Sequence, residues 1–83
     1  MSTLHPNFPK LRWQCRRGML ELDILLTRFL EQSFPGLSPA DQILFEKLLA
    51  CTDQDLYNWL VKHEQSDPEF FSLVERIRHG AGK

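Results

Sequence analysis

The sequence has 83 residues, with ten Lys and Arg against eleven Asp and Glu, 42% hydrophobic residues and a formal charge of −1. A chain of this length forms one small domain with a thin margin of stability, and its charge argues against a nucleic-acid binder because no cationic excess is present to replace phosphate counterions. Two cysteines are too few for a disulfide framework, and no apolar run approaches the length of a membrane-spanning helix, so we expect free thiols and no membrane insertion.

The first half of the chain predicts two helices after an extended start. Two prolines keep residues 1–9 extended or flexible, and KLRWQCRR at residues 10–17 can form a short helix that ends near Gly18. The second helix covers about residues 19–34, because apolar side chains recur there at the spacing of one helical face. Those side chains are Leu22, Leu25, Leu26, Phe29 and Leu30. A Pro-Gly pair then stops the helix.

The second half of the chain carries three helix-start signals, each a capping residue at the front of a helical stripe. They are Ser38 with Pro39, Thr52 or Asp53, and Asp67 with Pro68. Gly80 ends the last helix, and residues 80–83 are expected to form a flexible tail. Nothing alternates with the period of two that a strand requires. The sequence therefore predicts an all-α fold, a compact bundle of four to five short helices in a single domain over residues 1–83.

The inventory of catalytic and metal-binding residues is thin. No glycine-rich phosphate loop is present, and His5, His63 and His79 lie at no metal-ligand spacing with a cysteine. Paired carboxylates occur two residues apart, so their side chains diverge on a helix and do not support acid–base catalysis. Cys15 and Cys51 are interpreted as packing residues, because free cysteines are commonly buried. We expect no catalytic site and no metal site.

The segment DLYNWLVKHE contributes two aromatic residues. Trp59 is expected in the core, because tryptophan buries a large area and a small bundle needs it. Tyr57 and Asn58 fall off the apolar stripe and are candidates for contact with a partner.

Gly18 interrupts a helical pattern, where glycine is unfavourable by about 1 kcal/mol relative to alanine. If the helix runs through Gly18, Arg17 and Glu21 face each other as an ion pair. If Gly18 instead ends the first helix in a left-handed cap, Glu21 lies in the first turn of the second helix and could reach back to free backbone amides. A functional reading adds that a bare glycine beside Arg16, Arg17 and Glu21 leaves a charged patch that a partner can approach.

These residues resemble a known family. RRGMLELD, followed further along the chain by DQDLYNWL, is similar to the flavinator family, the small SdhE-like succinate dehydrogenase assembly factors of bacteria and their mitochondrial relatives. The family motif RGxxE corresponds to Arg17, Gly18 and Glu21. The resemblance runs from roughly Leu11 to Ile77, nearly the whole chain.

The resemblance implies a five-helix bundle that acts as a chaperone. It would bind the flavoprotein subunit of succinate dehydrogenase or fumarate reductase and promote covalent attachment of FAD to a histidine of that subunit. The motif residues Arg17, Gly18 and Glu21 would form the contact surface, with Arg16 and Asp23 as additions. FAD would be the cofactor of the client, and this chain would bind none stably.

The resemblance also implies a cellular setting and leaves alternatives open. Without the targeting sequence of the mitochondrial branch, a bacterial cytoplasmic protein is implied, and a monomer is expected. The alternative function is an antitoxin-type or other regulatory protein-binding module with no flavinylation role. A small DNA-binding helical protein and an enzyme rank below both, because neither a basic stripe nor a catalytic constellation is present.

Overall fold

The computed structural model of the protein describes residues 8–80, which form five α-helices and no strand. The helices are α1 (Phe8–Gln14), α2 (Leu20–Gln32), α3 (Pro39–Leu49), α4 (Asp53–Leu60) and α5 (Phe71–Gly80). A short 3-10 helix at Phe34–Gly36 follows α2, and another at Pro68–Phe70 precedes α5. The predicted all-α bundle is confirmed. Within the described range, no helix is long and apolar enough to cross a membrane.

Both ends of the described chain differ from the expected tails. Phe8 and Pro9 form the first turn of α1 instead of an extended segment. Proline fits this position because the first turn has no intrahelical acceptor for its missing N–H and its fixed φ suits the helix. Gly80 is the last residue of α5. The remaining parts of the expected tails, residues 1–7 and 81–83, lie outside the described residues.

Two of the three helix-start signals work as predicted. The Ser38 hydroxyl accepts a hydrogen bond from the Asp41 N–H (3.2 Å) at the start of α3. At the start of α4 the capping residue is Thr52, whose hydroxyl accepts from the Asp55 N–H (3.1 Å). Asp67 makes no side-chain capping bond within the described part of the chain, and a 3-10 helix follows it. The Asp-Pro signal therefore begins a tight turn, and α5 starts after it.

The core lies between all five helices, with α2 packed against α1, α4 and α5. Phe45 packs against two other aromatic rings of the core, since its ring centroid lies 5.4 Å from that of Phe29 and 5.5 Å from that of Phe34. Trp59 is buried against Phe70 at 5.9 Å between ring centroids, which confirms its predicted place in the core. α2 is therefore the central helix of the bundle, and the candidate site lies where the chain passes from α1 into α2.

Candidate functional site

The site predicted from the sequence lies in the connection between α1 and α2, residues 15–19, which we call the corner. Gly18 has a φ of +81°, the left-handed conformation that glycine adopts without steric penalty. A Cβ at this position would meet no atom within 4 Å. The helix does not run through Gly18, so the first sequence reading is wrong. The second reading is right about the left-handed conformation and about Glu21 in the first turn of α2, but Gly18 does not cap α1, which already ends at Gln14. It turns the chain into α2.

Asp23 fixes the shape of the corner from inside α2. Its carboxylate accepts hydrogen bonds from the backbone N–H of Arg17 (2.7 Å) and of Gly18 (3.2 Å). Side chains on a helix lean towards its N-terminus, so a residue one turn into α2 can reach the amides that precede the helix. Glu21, which one reading of the sequence allowed to reach back to these amides, does not bind them. The Glu21 side chain is exposed.

Arg17 ties the corner to the connection between α3 and α4. Its guanidinium donates to the Asp53 carboxylate (2.9 Å) and to the carbonyl oxygens of Cys51 (3.4 Å) and Leu49. The last carbonyls of a helix have no intrahelical donor and favour a cation. Only 13% of the Arg17 side chain is exposed, and its buried Nε has no acceptor among the described residues. Arg17 therefore acts inside the molecule.

The outer side of the corner is formed by side chains that remain available. Arg16 is exposed, and its guanidinium carbon lies 6.0 Å from the ring centroid of Trp13, within the range of a cation–π contact. Neither Arg16 nor Glu21 forms an ion pair with another residue in the range 8–80. These two residues lie close to Gly18 in the sequence.

The structure thus divides the five predicted partner-binding residues into two groups. Arg16, Gly18 and Glu21 present an open face to solvent. Arg17 and Asp23 hold that face in shape through contacts within the chain. The RGxxE motif therefore contains two exposed residues, Gly18 and Glu21, and one residue, Arg17, that stabilises the corner through contacts within the chain.

The two further candidates on α4 are only half exposed. Tyr57 packs against the core, and the side-chain oxygen of Asn58 accepts a hydrogen bond from the Gln54 amide (2.9 Å). Tyr57 follows Asp53 by one helical turn, so both residues lie on one face of α4. Because Asp53 is bound to Arg17, Tyr57 is placed on the helix face that adjoins the corner.

Neither cysteine has the character of a nucleophile. Cys15 is fully buried, and this burial raises the pKa of its thiol to about 12, although the charges of Arg17 and Arg12 partly oppose the shift. Cys51 is half-buried, and burial raises the pKa of its thiol as well, with Asp55 adding to the effect. A protonated thiol is a poor nucleophile and a poor metal ligand. Within residues 8–80, no cluster of His, Cys, Asp or Glu could hold a metal ion.

Sequence reasoning missed three residues of this region: Trp13, Leu20 and Asp53. The helical period could have identified Trp13, because Leu11 in α1 and Cys15 just after it are buried on one side and a residue midway between them points away from that side. The same argument places Leu20 off the stripe of Leu22 and Leu26. Asp53 had no local signal of its contact with Arg17, because the two lie 36 residues apart.

Comparison with known proteins identifies the family. Residues 9–81 match the family described as flavinator of succinate dehydrogenase. A FAD assembly factor SdhE from Shewanella oneidensis is 44% identical over 73 residues, which cover 87% of this chain and 89% of the relative. The protein of the same description from Coxiella burnetii is 46% identical over 70 residues, covering 83% and 85%. The one from Photorhabdus laumondii is 43% identical over 74 residues, covering 88% and 84%.

The chain therefore belongs to the flavinator of succinate dehydrogenase family, as the resemblance of its two motifs predicts. No solved structure gives a significant match to it.

Proposed function

We propose that this chain is an assembly chaperone that binds the flavoprotein subunit of succinate dehydrogenase and promotes covalent attachment of FAD to it. Its family and its relatives named FAD assembly factor support the role. The observation that carries the site is the bare left-handed turn at Gly18, which has open space above it. Close by in the sequence are the exposed side chains of Arg16 and Glu21, which form no ion pair with another of residues 8–80. The backbone of another protein can approach such a corner closely, because glycine has no side chain.

The role of the chain is binding and not catalysis. Its two thiols have raised pKa values, which disfavours covalent catalysis through cysteine. A protein that binds one conformation of its client shifts the client towards that conformation by its differential affinity. On this view the flavoprotein subunit supplies the reacting histidine, and this chain stabilises the arrangement in which that histidine meets the flavin.

FAD belongs to the client in this proposal. Consecutive backbone N–H groups at a glycine turn can bind the pyrophosphate of a dinucleotide. At the corner, the N–H groups of Arg17 and Gly18 already donate to the carboxylate of Asp23. An anion would have to displace a tethered carboxylate, so the residues of the corner do not fit a stable FAD site.

The remaining parts of the proposal concern the setting. The relatives described as FAD assembly factors occur in bacteria, and we infer a bacterial cytoplasmic protein that acts as a monomer. Fumarate reductase is proposed as a second client, because the family resemblance links both flavoproteins to the RGxxE surface. Tyr57 and Asn58 are retained as contacts at the edge of the interface.

The test is covalent flavin fluorescence of the flavoprotein subunit in a denaturing gel, after co-expression with this chain. We expect a strong signal with the unchanged chain and a clear loss with Glu21→Gln, which removes one exposed charge and leaves the fold intact. Loss of a charged contact at an interface corresponds to roughly a tenfold weaker association for each 1.4 kcal/mol.

The matched control is Glu69→Gln, because Glu69 is also exposed and its ion pair with Lys47 is a surface pair of small energetic value. It should leave the flavin signal unchanged. If the unchanged chain does not increase the signal over the subunit expressed alone, the proposed function is wrong. If the unchanged chain increases the signal and Glu21→Gln increases it equally, only the assignment of Glu21 is wrong.

A further inference from the structure

The described residues expose five large apolar side chains, and three of them surround the corner. The five are Trp13, Leu20, Ile24, Ile43 and Phe71. Trp13 is 73% exposed, Leu20 76% and Ile24 43%. Single exposed apolar residues are ordinary on protein surfaces, whereas grouped ones indicate an interaction site. We call Trp13, Leu20 and Ile24 the apolar ridge.

The members of the apolar ridge lie on the two helices that the corner connects, Trp13 on α1 and the other two on α2. Leu20 and Ile24 are one helical turn apart on α2, so their side chains lie on the same face. Ile24 and Arg16 line the same open groove between α1 and α2, which has a volume of about 470 Å³. The guanidinium of Arg16 in turn lies over the ring of Trp13. Arg16 therefore lies between the ring of Trp13 and the groove that Ile24 lines.

The fold itself makes little use of these side chains. The buried stripe of α2 consists of Leu22, Leu26, Phe29 and Leu30, and that of α1 contains Leu11. Leu20 stands at the first position of α2, where an acidic residue would suit the helix dipole better than a leucine. A leucine that is three-quarters exposed at such a position contributes little to the stability of the isolated chain.

The charges around the apolar ridge indicate the chemistry of the partner. Arg16 and Arg28 line the groove, and neither forms an ion pair with another of residues 8–80. Arg12 lines it as well but is paired with Glu31. The groove is also lined by Asp23, which is bound to the backbone of the corner, and by Glu31, so its unpaired charges among the described residues are those of the two arginines. A matching surface would carry apolar residues, carboxylates opposite Arg16 and Arg28, and a basic group opposite the exposed Glu21.

We propose that the apolar ridge is the anchor by which this chain docks onto the flavoprotein subunit, and that the charged groups of the corner set the orientation of the complex. The proposal rests on the proposed function. It is favoured by continuity, since Leu20 adjoins Glu21 in sequence and Trp13 supports Arg16. Binding energy at protein interfaces concentrates in a few central aromatic and apolar side chains that become fully desolvated. The partner is therefore the surface of the flavoprotein subunit that carries an apolar patch, with carboxylates opposite Arg16 and Arg28 and a basic group opposite Glu21.

The experiment measures the dissociation constant of the purified flavoprotein subunit for the unchanged chain and four variants by biolayer interferometry. Leu20→Glu, Ile24→Glu and Trp13→Ala remove members of the apolar ridge, and Ile43→Glu is the matched control. Ile43 is 60% exposed and lies on α3 outside the groove. We expect each ridge variant to raise the dissociation constant about tenfold or more, with Ile43→Glu unchanged. Circular dichroism checks that every variant keeps its helix content.

Each outcome decides between the two proposals. If the unchanged chain does not bind the subunit, both the proposed function and the anchor are refuted. If it binds and the three ridge variants bind as tightly, only the anchor is refuted, and the charged corner carries the interaction alone. An equal loss in the ridge variants and in Ile43→Glu would likewise refute the anchor, because the effect would not be located at the ridge.

Discussion

At the scale of single residues, substitutions of Gly18 distinguish the need for a left-handed backbone from the need for open space above the corner. Its φ of +81° strains any L-residue, while no atom lies within 4 Å of an added Cβ. We therefore expect Gly18→Ala and Gly18→Arg to lower the free energy of unfolding by a similar amount, about 1–2 kcal/mol. Urea denaturation followed by circular dichroism measures this. Only the arginine fills the open corner, so Gly18→Arg should also abolish binding to the flavoprotein subunit.

Two further variants act as controls for this prediction. Gly18→Asn should lose less stability than Gly18→Ala, because asparagine tolerates the left-handed conformation better. Gly36 also has open space around it but has no positive φ, so Gly36→Ala should not be destabilising. A much lower stability of Gly18→Arg than of Gly18→Ala would mean that the corner is not open in solution.

Arg16 and Arg17 should respond differently to replacement by lysine. Arg17→Lys should lower the free energy of unfolding by about 1–3 kcal/mol, because one ammonium cannot replace the planar fork that serves Asp53 and two carbonyl oxygens. Arg16→Lys should leave stability within about 0.5 kcal/mol, since this side chain lies on the surface. Chemical denaturation of the two variants side by side is the measurement. Equal stabilities would contradict the internal role of Arg17.

At the scale of helices, the sequence was informative wherever the determinants are local. The hydroxyls of Ser38 and Thr52 cap amides three residues away, and a contact of that range can be read from the order of residues. The apolar stripe of α2 and the burial of Trp59 follow from periodicity and size in the same way. Fold class and most helix starts were therefore predictable.

The corner was predictable only in part, because its geometry depends on contacts between distant residues. The motif indicated the candidate site, yet the sequence could not show that Arg17 turns inward while Arg16 remains outside. That choice is made by Asp53 and the carbonyls at the end of α3, which lie more than thirty residues further along the chain. The capping role that one reading allowed to Glu21 belongs to Asp23 for a related reason, since Asp23 reaches the amides from one turn deeper in α2.

At the scale of the whole molecule, the corner is held by the fold on both sides. Asp23 attaches the corner to α2, which packs against α1, α4 and α5. Arg17 attaches it to the connection between α3 and α4. A corner fixed at two points is pre-organised, and pre-organisation improves affinity by reducing the ordering required on binding. The shape of the corner therefore depends on the global stability of a small domain.

Cys15 offers a direct measure of that stability, because its thiol is fully buried in the core beneath the corner. In the variant Cys51→Ser it is the single cysteine, and we expect iodoacetamide at about pH 8 to modify it only when the domain opens. The rate of modification, measured by mass spectrometry, should rise with urea in parallel with global unfolding. In Cys15→Ala, the half-buried Cys51 should react faster than Cys15 does in the first variant under native conditions.

The same thiol predicts a pH dependence of stability. Burial raises the pKa of Cys15 from 9.0 to about 12, so the unfolded chain releases this proton at a lower pH than the folded chain. The contribution to stability is complete below about pH 9 and is lost as the pH rises towards 12. Between about pH 8 and 10.5, the Cys51→Ser protein should thus lose more of its free energy of unfolding than the protein that also carries Cys15→Ala. If both lose the same amount, the pKa of Cys15 is not raised in the folded protein. If modification of Cys15 does not depend on urea, the thiol is reached by local opening of the corner and not by unfolding of the bundle.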